Sequence, residues 1–328
     1  MLILLFSSTA TVQPQKVTDA EVRQLNDSML KSYTAGDFEK AYKAADRLVQ
    51  MATQQFGKNS LATARALKNR GVIQNAKGDA EGAEKSFENA VSIYRNHENS
   101  LSKTDGSAFA ELLENLGRVR ARKGTLWAEG IFKEALEWRE KSNGPEAIET
   151  ATPLANLGDI YFWKREYKKS AELFARSLAN LAKSTKAPKE DITLVYYRTR
   201  CSYRKAKLDE DFVALTSLYG DAAEFSATVP RTARLINAGV VNGKALYLAK
   251  PIYPDAARDA RSEGTIQVDV LINETGSVIS ACAVETKQDV ALIEVSERAA
   301  YKSRFSPTTL DGRPIKVSGR IVYSFKRY

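Results

Sequence analysis

Residues 154–177 read LANLGDIYFWKREYKKSAELFARS, a pattern that determines how the N-terminal part of the chain folds. A leucine stands four residues before Gly158, and a polar turn then leads into a second segment. In that segment Ser170, Phe174 and Ser177 follow one another at the spacing of one helix face. Small residues beside a large aromatic ring let two helices approach closely. We therefore predict two packed helices, with Gly158 receiving the ring of Phe174.

The same pattern occurs three times along the chain, with the glycines 46 and 41 residues apart. The glycines and their aromatic partners are Gly71 with Phe87, Gly117 with Phe132, and Gly158 with Phe174. One helix pair alone cannot bury its apolar face, so successive pairs must stack. We predict an all-α solenoid over residues 20–225, in which residues 192–225 form a degenerate last pair.

This repeat resembles the tetratricopeptide repeat, in the long form found in kinesin light chains. In such arrays the first helices of the pairs line a concave groove that binds partner proteins. The resemblance places six polar side chains on or near that groove: Lys68, Asn69, Asn115, Arg118, Arg122 and Asn156. Asparagine amides both donate and accept hydrogen bonds, which suits a peptide backbone. The alternative is that these side chains satisfy helix ends or face solvent.

The pattern changes after a loose stretch at residues 226–244, which we interpret as a linker. Residues 265–272 and 277–284 have the character of two strands joined by a hairpin turn, and residues 289–303 show helical spacing. A last strand places five residues on one face: Val317, Gly319, Ile321, Tyr323 and Phe325. The sequence predicts a small α+β domain at residues 245–328, with a three-stranded antiparallel sheet and one helix.

Short motifs flank the elements of this second domain. In chain order they are Tyr253-Pro254, Ala257-Arg258, Gly264, Gly276, Phe305-x-Pro307 and Asp311-Gly312-x-Pro314. Together they resemble the C-terminal domain of TonB-family proteins. In that family the last strand is a sheet edge that accepts an extended peptide from an outer-membrane receptor, because an open edge offers unpaired N–H and C=O groups.

The TonB resemblance assigns roles to individual residues of this chain. Tyr253 and Pro254 would brace the segment that leads into the sheet, or would only close the core. The outward residues of the peptide-binding strand would be Arg320, Val322, Ser324 and Lys326.

Scarce residue types exclude several kinds of site. The 328 residues include 49 Lys and Arg against 40 Asp and Glu, a net charge of +9, with one histidine, His97. With only two cysteines besides, a closed Cys/His zinc site cannot be built. The chain has no nucleophile elbow, phosphate-binding loop or dinucleotide fingerprint. We therefore expect a non-enzymatic protein without metal, cofactor or nucleic-acid partner.

The two cysteines, Cys201 and Cys282, lie far apart in sequence, and each belongs to a stretch with its own apolar pattern. This placement favours two buried free thiols. A disulfide between the two domains is the alternative.

The N-terminus resembles part of an export signal. An apolar run at residues 1–6 leads into the small residues Ser8, Thr9 and Ala10, without a charged start. The run is too short to span a bilayer. We interpret residues 1–19 as a partial signal peptide or a disordered terminus, and we expect a periplasmic protein. An upstream membrane helix would anchor it to the inner membrane.

We consider three functions, of which the first two follow from these resemblances. The first is a periplasmic protein-interaction module of the TonB family, which binds an extended peptide or outer-membrane receptor at the sheet edge and a second partner in the repeat groove. The alternative is a TonB-type energy transducer that drives outer-membrane transport, whose membrane helix is missing from this sequence. A third is a structural role in which the basic C-terminal domain contacts cell-wall glycan.

Overall fold

The computed structural model describes residues 19–184, 189–208, 210, 211, 215, 236–241, 245–284 and 288–326. The chain forms two compact units, Met1–Ser142 and Asn143–Tyr328. The division therefore falls inside the predicted repeat region, and the last helices of that region belong with the C-terminal domain. The predicted signal segment lies, except for Asp19, outside the described residues. No described helix is long and apolar enough to cross a membrane.

The first unit consists of antiparallel helix pairs. Its helices are α1 (Asp19–Thr34), α2 (Phe38–Phe56), α3 (Leu61–Ala76), α4 (Ala80–Asn96), α5 (Lys103–Ala121) and α6 (Glu129–Asn143). The side chains of Asp37 and Asp79 cap α2 and α4 by accepting hydrogen bonds from backbone N–H groups of the first turn. Before α6, a 3₁₀ turn at Thr125–Ala128 replaces the tight turn found in the earlier pairs.

The predicted packing of glycine against an aromatic ring is confirmed in all three repeats. A Cβ atom placed on Gly71 would lie 2.5 Å from the ring of Phe87, and one on Gly117 would lie 2.6 Å from the ring of Phe132. In the second unit the corresponding distance from Gly158 to the ring of Phe174 is 2.9 Å. Real Cβ atoms do not approach other atoms this closely, so only glycine fits.

In the described part of the second unit, three α-helices precede the sheet domain. The helices are α7 (Ala151–Trp163), α8 (Tyr167–Ala182) and α9 (Lys189–Ala206). The later elements are β1 (Ile236–Val240), β2 (Ala245–Tyr247), α10 (Asp255–Asp259), β3 (Gly264–Ile272), β4 (Val278–Ala283), α11 (Val290–Lys302), β5 (Arg304–Phe305), β6 (Thr308–Leu310), β7 (Arg313–Ile315) and β8 (Val317–Phe325).

The main sheet has the strand order β1-β8-β3-β4. Strands β8, β3 and β4 are antiparallel, and α11 packs on one face over a core that includes Val268, Leu292 and Ile321. This confirms the predicted three-stranded antiparallel sheet with one helix. Gly276 in the hairpin has φ +80°, and a Cβ there would meet the carbonyl of Phe305. The turn therefore requires glycine.

Strand β1 lies inside the segment that the sequence predicts as a linker, residues 226–244. It pairs in parallel with β8, with Ile236 opposite Val317 and Val240 opposite Arg320. The prediction that β8 is an open sheet edge is therefore wrong for its first half. The physical reason is that an unpaired strand edge offers N–H and C=O groups, which a nearby extended segment satisfies.

Helix α9 lies against the opposite face of the sheet. Its Cys201 forms a disulfide with Cys282 on β4, with 5.8 Å between the Cα atoms. Beside this bond, the Tyr197 hydroxyl hydrogen-bonds to Ser318. The expectation of two free thiols is thus wrong, because the fold brings together two apolar stretches that are 81 residues apart in sequence.

Candidate functional site

The outer edge of β4 is closed by side chains of α11. The backbone N–H of Ala283 donates to Oε1 of Glu297 at 2.8 Å, and the Tyr301 hydroxyl hydrogen-bonds to the backbone of Ala281. Burial raises the pKa of Tyr301 to about 12, so this hydroxyl stays neutral. Because Ala281 and Ala283 already have these side-chain partners, β4 is a poor acceptor for another strand at these positions.

The Glu297 carboxylate that seals this edge is itself paired. Glu297 is 5 % exposed, and its Oε1 lies 2.7 Å from Nζ of Lys205 on α9. A buried carboxylate needs such a cation and such a donor, because desolvation alone would disfavour its charged form. The closed edge of the sheet therefore depends on the position of α9.

Within the described residues, β1 closes the outer edge of β8 as far as Arg320. The Arg320 carbonyl accepts a hydrogen bond from the N–H of Val241 at 2.9 Å, so the backbone groups of Arg320 face β1. Neighbouring residues in a strand direct these groups to opposite sides, and those of Ser324 therefore face the same edge. Among the described residues, β1 pairs with β8 no further than Arg320. The C-terminal end of β8, at Ser324 and Lys326, is exposed.

A cleft of about 820 Å³ borders this end of β8. Its walls are Lys250, Pro251, Tyr253, Arg258, Arg261, Val322, Tyr323, Ser324, Phe325 and Lys326. Four of the proposed partner-binding residues are among them: Tyr253, Val322, Ser324 and Lys326. The structure thus brings these four residues together, and it joins an exposed strand end to a cleft with both apolar and polar walls.

Arg320 and Pro254 lie outside the walls of this cleft. The Arg320 guanidinium donates to Oδ1 of Asp269 at 2.8 Å and to Gln267 at 3.0 Å, both on the neighbouring strand β3. Pro254 is the N-cap residue of α10, and its carbonyl accepts the N–H of Arg258. Both residues therefore have structural partners within the domain.

Tyr253 forms one wall of the cleft and also packs on the core. Its ring meets Phe325 edge to face with 5.8 Å between the centroids, and its hydroxyl donates to the carbonyl of Ser262. These two contacts hold the ring in place at the cleft. Tyr253 thus both closes the core and shapes the cleft.

The cleft is positively charged. Its cations are Lys250, Arg258, Arg261 and Lys326. Arg258 lies 2.8 Å from Asp255, whereas none of the other three forms an ion pair with any carboxylate of the described residues. The cleft therefore favours a segment that carries negative charge.

In the first unit, several predicted groove residues contact one another or neighbouring helices. Lys68 on α3 forms an ion pair with Glu111 on α5 at 3.0 Å. Arg118 donates to Asn115 at 2.6 Å, and the guanidinium of Arg122 donates to a side chain of α3, at 2.9 Å. The contacts of Lys68 and Arg122 connect α3 with the α5 segment, whereas that of Arg118 lies within α5. The proposed binding role of these residues stays a prediction.

The other two predicted asparagines have fewer contacts. Asn69 is half-buried on α3. Asn156 belongs to the second unit, and its buried Nδ2 has no hydrogen-bond partner among the described residues. Their binding role also stays a prediction.

The sequence predictions did not include Val241, Arg261, Lys205 or Glu297. The first two shape the β8 edge, and the other two seal the β4 edge. One signal was available: Gly319 interrupts the apolar row of β8. A missing side chain inside a core-facing strand indicates that another part of the chain fills the space.

Family models match both parts of the chain. Residues 249–326 match the Gram-negative bacterial TonB protein C-terminal family, and residues 32–96 and 109–183 match the tetratricopeptide repeat family. Both resemblances inferred from the sequence are thereby confirmed. A comparison with curated proteins gives no match.

Solved structures share the helical repeat fold. BtubC (BKLC) from P. vanneervenii is 20 % identical over 65 % of this chain and 82 % of that chain, with a TM-score of 0.55. A Podosopora anserina putative kinesin light chain with nearly identical TPR-like repeats is 13 % identical over 65 % of this chain and 98 % of that chain, with a TM-score of 0.50. At these identities the likeness concerns the fold alone.

Proposed function

We propose that this chain, which combines tetratricopeptide repeats with a TonB C-terminal domain, is a non-enzymatic interaction module of the bacterial cell envelope. Its C-terminal domain binds an extended segment of an envelope protein, such as an outer-membrane receptor, by strand addition to β8. Its repeats bind a second protein partner in their groove.

The observation that carries this proposal is the asymmetry of the two sheet edges. Glu297 and Tyr301 hydrogen-bond to the β4 edge, whereas the β8 edge continues past Arg320 to the exposed residue Ser324, beside the cleft. An extended peptide gains main-chain hydrogen bonds at such an edge, and the cleft walls contact alternate side chains.

The Cys201–Cys282 disulfide supports a periplasmic location. Disulfides form and persist in oxidising compartments and are rare where cytosolic thiol systems keep cysteines reduced. The bond is buried between α9 and β4, where it holds the last repeat on the sheet. It is therefore a structural bond rather than an exposed redox pair.

Strand addition is tested by NMR titration of the isotope-labelled full chain with peptides from the N-termini of the host's outer-membrane receptors. We expect amide shifts to concentrate at Ser324 and Lys326 and along the cleft. If no peptide shifts these amides, the sheet-edge proposal is wrong. The search then moves to the repeat groove, and to purified cell-wall glycan as the alternative ligand.

A pair of variants at Ser324 separates strand addition from contact through side chains. Ser324→Pro removes an outward N–H that does not pair with β3, and proline is tolerated at edge positions of this kind. Ser324→Ala keeps the N–H and removes only the hydroxyl. We expect Ser324→Pro to abolish peptide binding and Ser324→Ala to preserve it. Equal binding by both variants would contradict strand addition.

A further inference from the structure

Strand β1 occupies the first half of the edge to which the partner would bind. Its backbone runs parallel to β8, and the following residue, Val241, donates its N–H to the Arg320 carbonyl at 2.9 Å. Val241 is 2 % exposed and belongs to the core of the sheet domain. The chain therefore adds its own strand to β8.

Gly319 makes room for this strand. A Cβ atom on Gly319 would lie 2.7 Å from Cγ1 of Val241 and 3.4 Å from the carbonyl oxygen of Gly239. Gly319 stands in the core-facing row of β8, between Val317 and Ile321. The side chain of Val241 thus fills the position that residue 319 leaves empty, and β8 is shaped to receive β1.

The pairing of β1 is nevertheless weaker than that of β3 on the other side of β8. Strand β3 pairs with β8 in unbroken register from Gly264 to Ile272. The register of β1 shifts between Asn237 and Val240, where Gly239 has φ +64°. A short, irregular parallel pairing is less stable than a continuous antiparallel one. Of the two neighbours of β8, β1 is therefore the more weakly paired.

We propose that β1 is an internal competitor for the β8 edge, so that a partner strand pairs along the full edge only after β1 has left. This inference rests on the proposed function, because it regulates the same site. The apparent affinity for the partner is then lowered by the fraction of molecules in which the edge is open. Any change that frees β1 raises this affinity.

The first test uses the full chain and a fluorescent peptide of residues 234–243, which contains the sequence of β1. Val241→Pro removes the hydrogen bond to Arg320. Its matched control is Val290→Pro, at the first helical position of α11, where proline is tolerated. We expect the peptide to bind Val241→Pro at least about tenfold more tightly than the wild type or the control, because the edge of β8 is open in a larger fraction of the variant molecules. Equal affinities for all three proteins would overturn the inference.

The second test needs no substitution, so it stands even if Val241→Pro fails to fold. Amide hydrogen exchange of Val241 is measured in the wild-type chain, with and without a receptor peptide at saturation. We expect protection of Val241 to fall at least about tenfold when the peptide binds. A bound peptide that leaves this protection unchanged overturns the inference and leaves the proposed function standing.

A third outcome distinguishes the proposed partner from the proposed competition by β1. If no receptor peptide binds, but the β1 peptide binds Val241→Pro more tightly than the control, the proposed partner is wrong and the internal competition is right.

Discussion

The contacts that hold the helices of the repeats to one another differ in chemistry from those that hold α9 to the sheet. Within the repeats, a glycine on one helix receives an aromatic ring from the next, as Gly117 receives Phe132. At the junction, a disulfide and the buried pair of Lys205 with Glu297 make the contacts. Apolar surfaces tolerate small rotations of a neighbour, whereas a disulfide and a buried ion pair are satisfied in few geometries. The same type of contact thus recurs in each repeat, whereas the contacts at the junction occur only there among the described residues.

The largest effect is expected from removing one charge of the buried ion pair. Lys205→Met leaves the Glu297 carboxylate buried without its cation, which typically costs about 3–5 kcal/mol. We expect the urea midpoint of the second unit to fall accordingly. Adding Glu297→Gln keeps the acceptor for the Ala283 N–H and should restore most of the loss. If the double variant is as unstable as Lys205→Met, the charge is not the cause.

The disulfide is expected to contribute slightly less. Replacing Cys201 and Cys282 together by serine should lower the free energy of unfolding by about 2–4 kcal/mol, because the bond restricts the unfolded chain. Thermal unfolding with and without reductant checks this. The reductant should lower the Tm of the wild type and leave that of the double variant unchanged. A reductant effect on the variant would point to a cause other than this bond.

Substitutions at two glycines of the first unit test the contribution of the glycine–ring contacts. Gly117→Ala places a methyl group 2.6 Å from the ring of Phe132 and should destabilise the unit by about 1–3 kcal/mol. Gly130→Ala, in the next helix, meets no atom within 4 Å and should stabilise it by about 0.5–1 kcal/mol. Urea denaturation gives both values. Effects of the same sign would show that helix propensity, not ring contact, governs these positions.

The smallest effect concerns pH. Hydrogen bonds from Ser262 and from the N–H of Ala291 lower the pKa of Asp289, the N-cap of α11. Since the folded pKa lies below the unfolded one, the carboxylate stabilises the fold above about pH 4, and this contribution is lost as the pH falls through the folded pKa. Asp289→Asn should therefore lower stability by up to about 1 kcal/mol at pH 7 and by almost nothing at pH 2. A difference that stays constant over this range would exclude the titration of Asp289 as its source.

The repeats and the sheet were predictable because their contacts recur at fixed spacing. The glycines at 71, 117 and 158 each follow a leucine by four residues and precede an aromatic residue of the next helix. Alternating apolar residues along 265–272 predict a strand. The helix predicted over residues 289–303 corresponds to α11, and its two predicted end residues, Asp289 and Ser303, are the observed cap residues. Such local patterns follow directly from helix and strand geometry.

The junction and the β1 pairing were not predictable in the same way. Cys201 and Cys282, like Lys205 and Glu297, are single residues far apart in sequence, and no spacing relates them. The pairing of β1 depends on how the chain returns to β8, which its own short sequence does not specify. In the candidate site, the resemblance to TonB proteins named Tyr253, Val322, Ser324 and Lys326, whereas the cleft cations Lys250 and Arg261 needed the structure.

The disulfide has a mechanical consequence. The bond between Cys201 and Cys282 joins α9 to β4 across 81 residues of sequence. Tension that a bound partner exerts on the sheet therefore reaches α9 directly through this bond. The force needed to separate the two parts is that of a covalent bond, not that of the side-chain contacts around it.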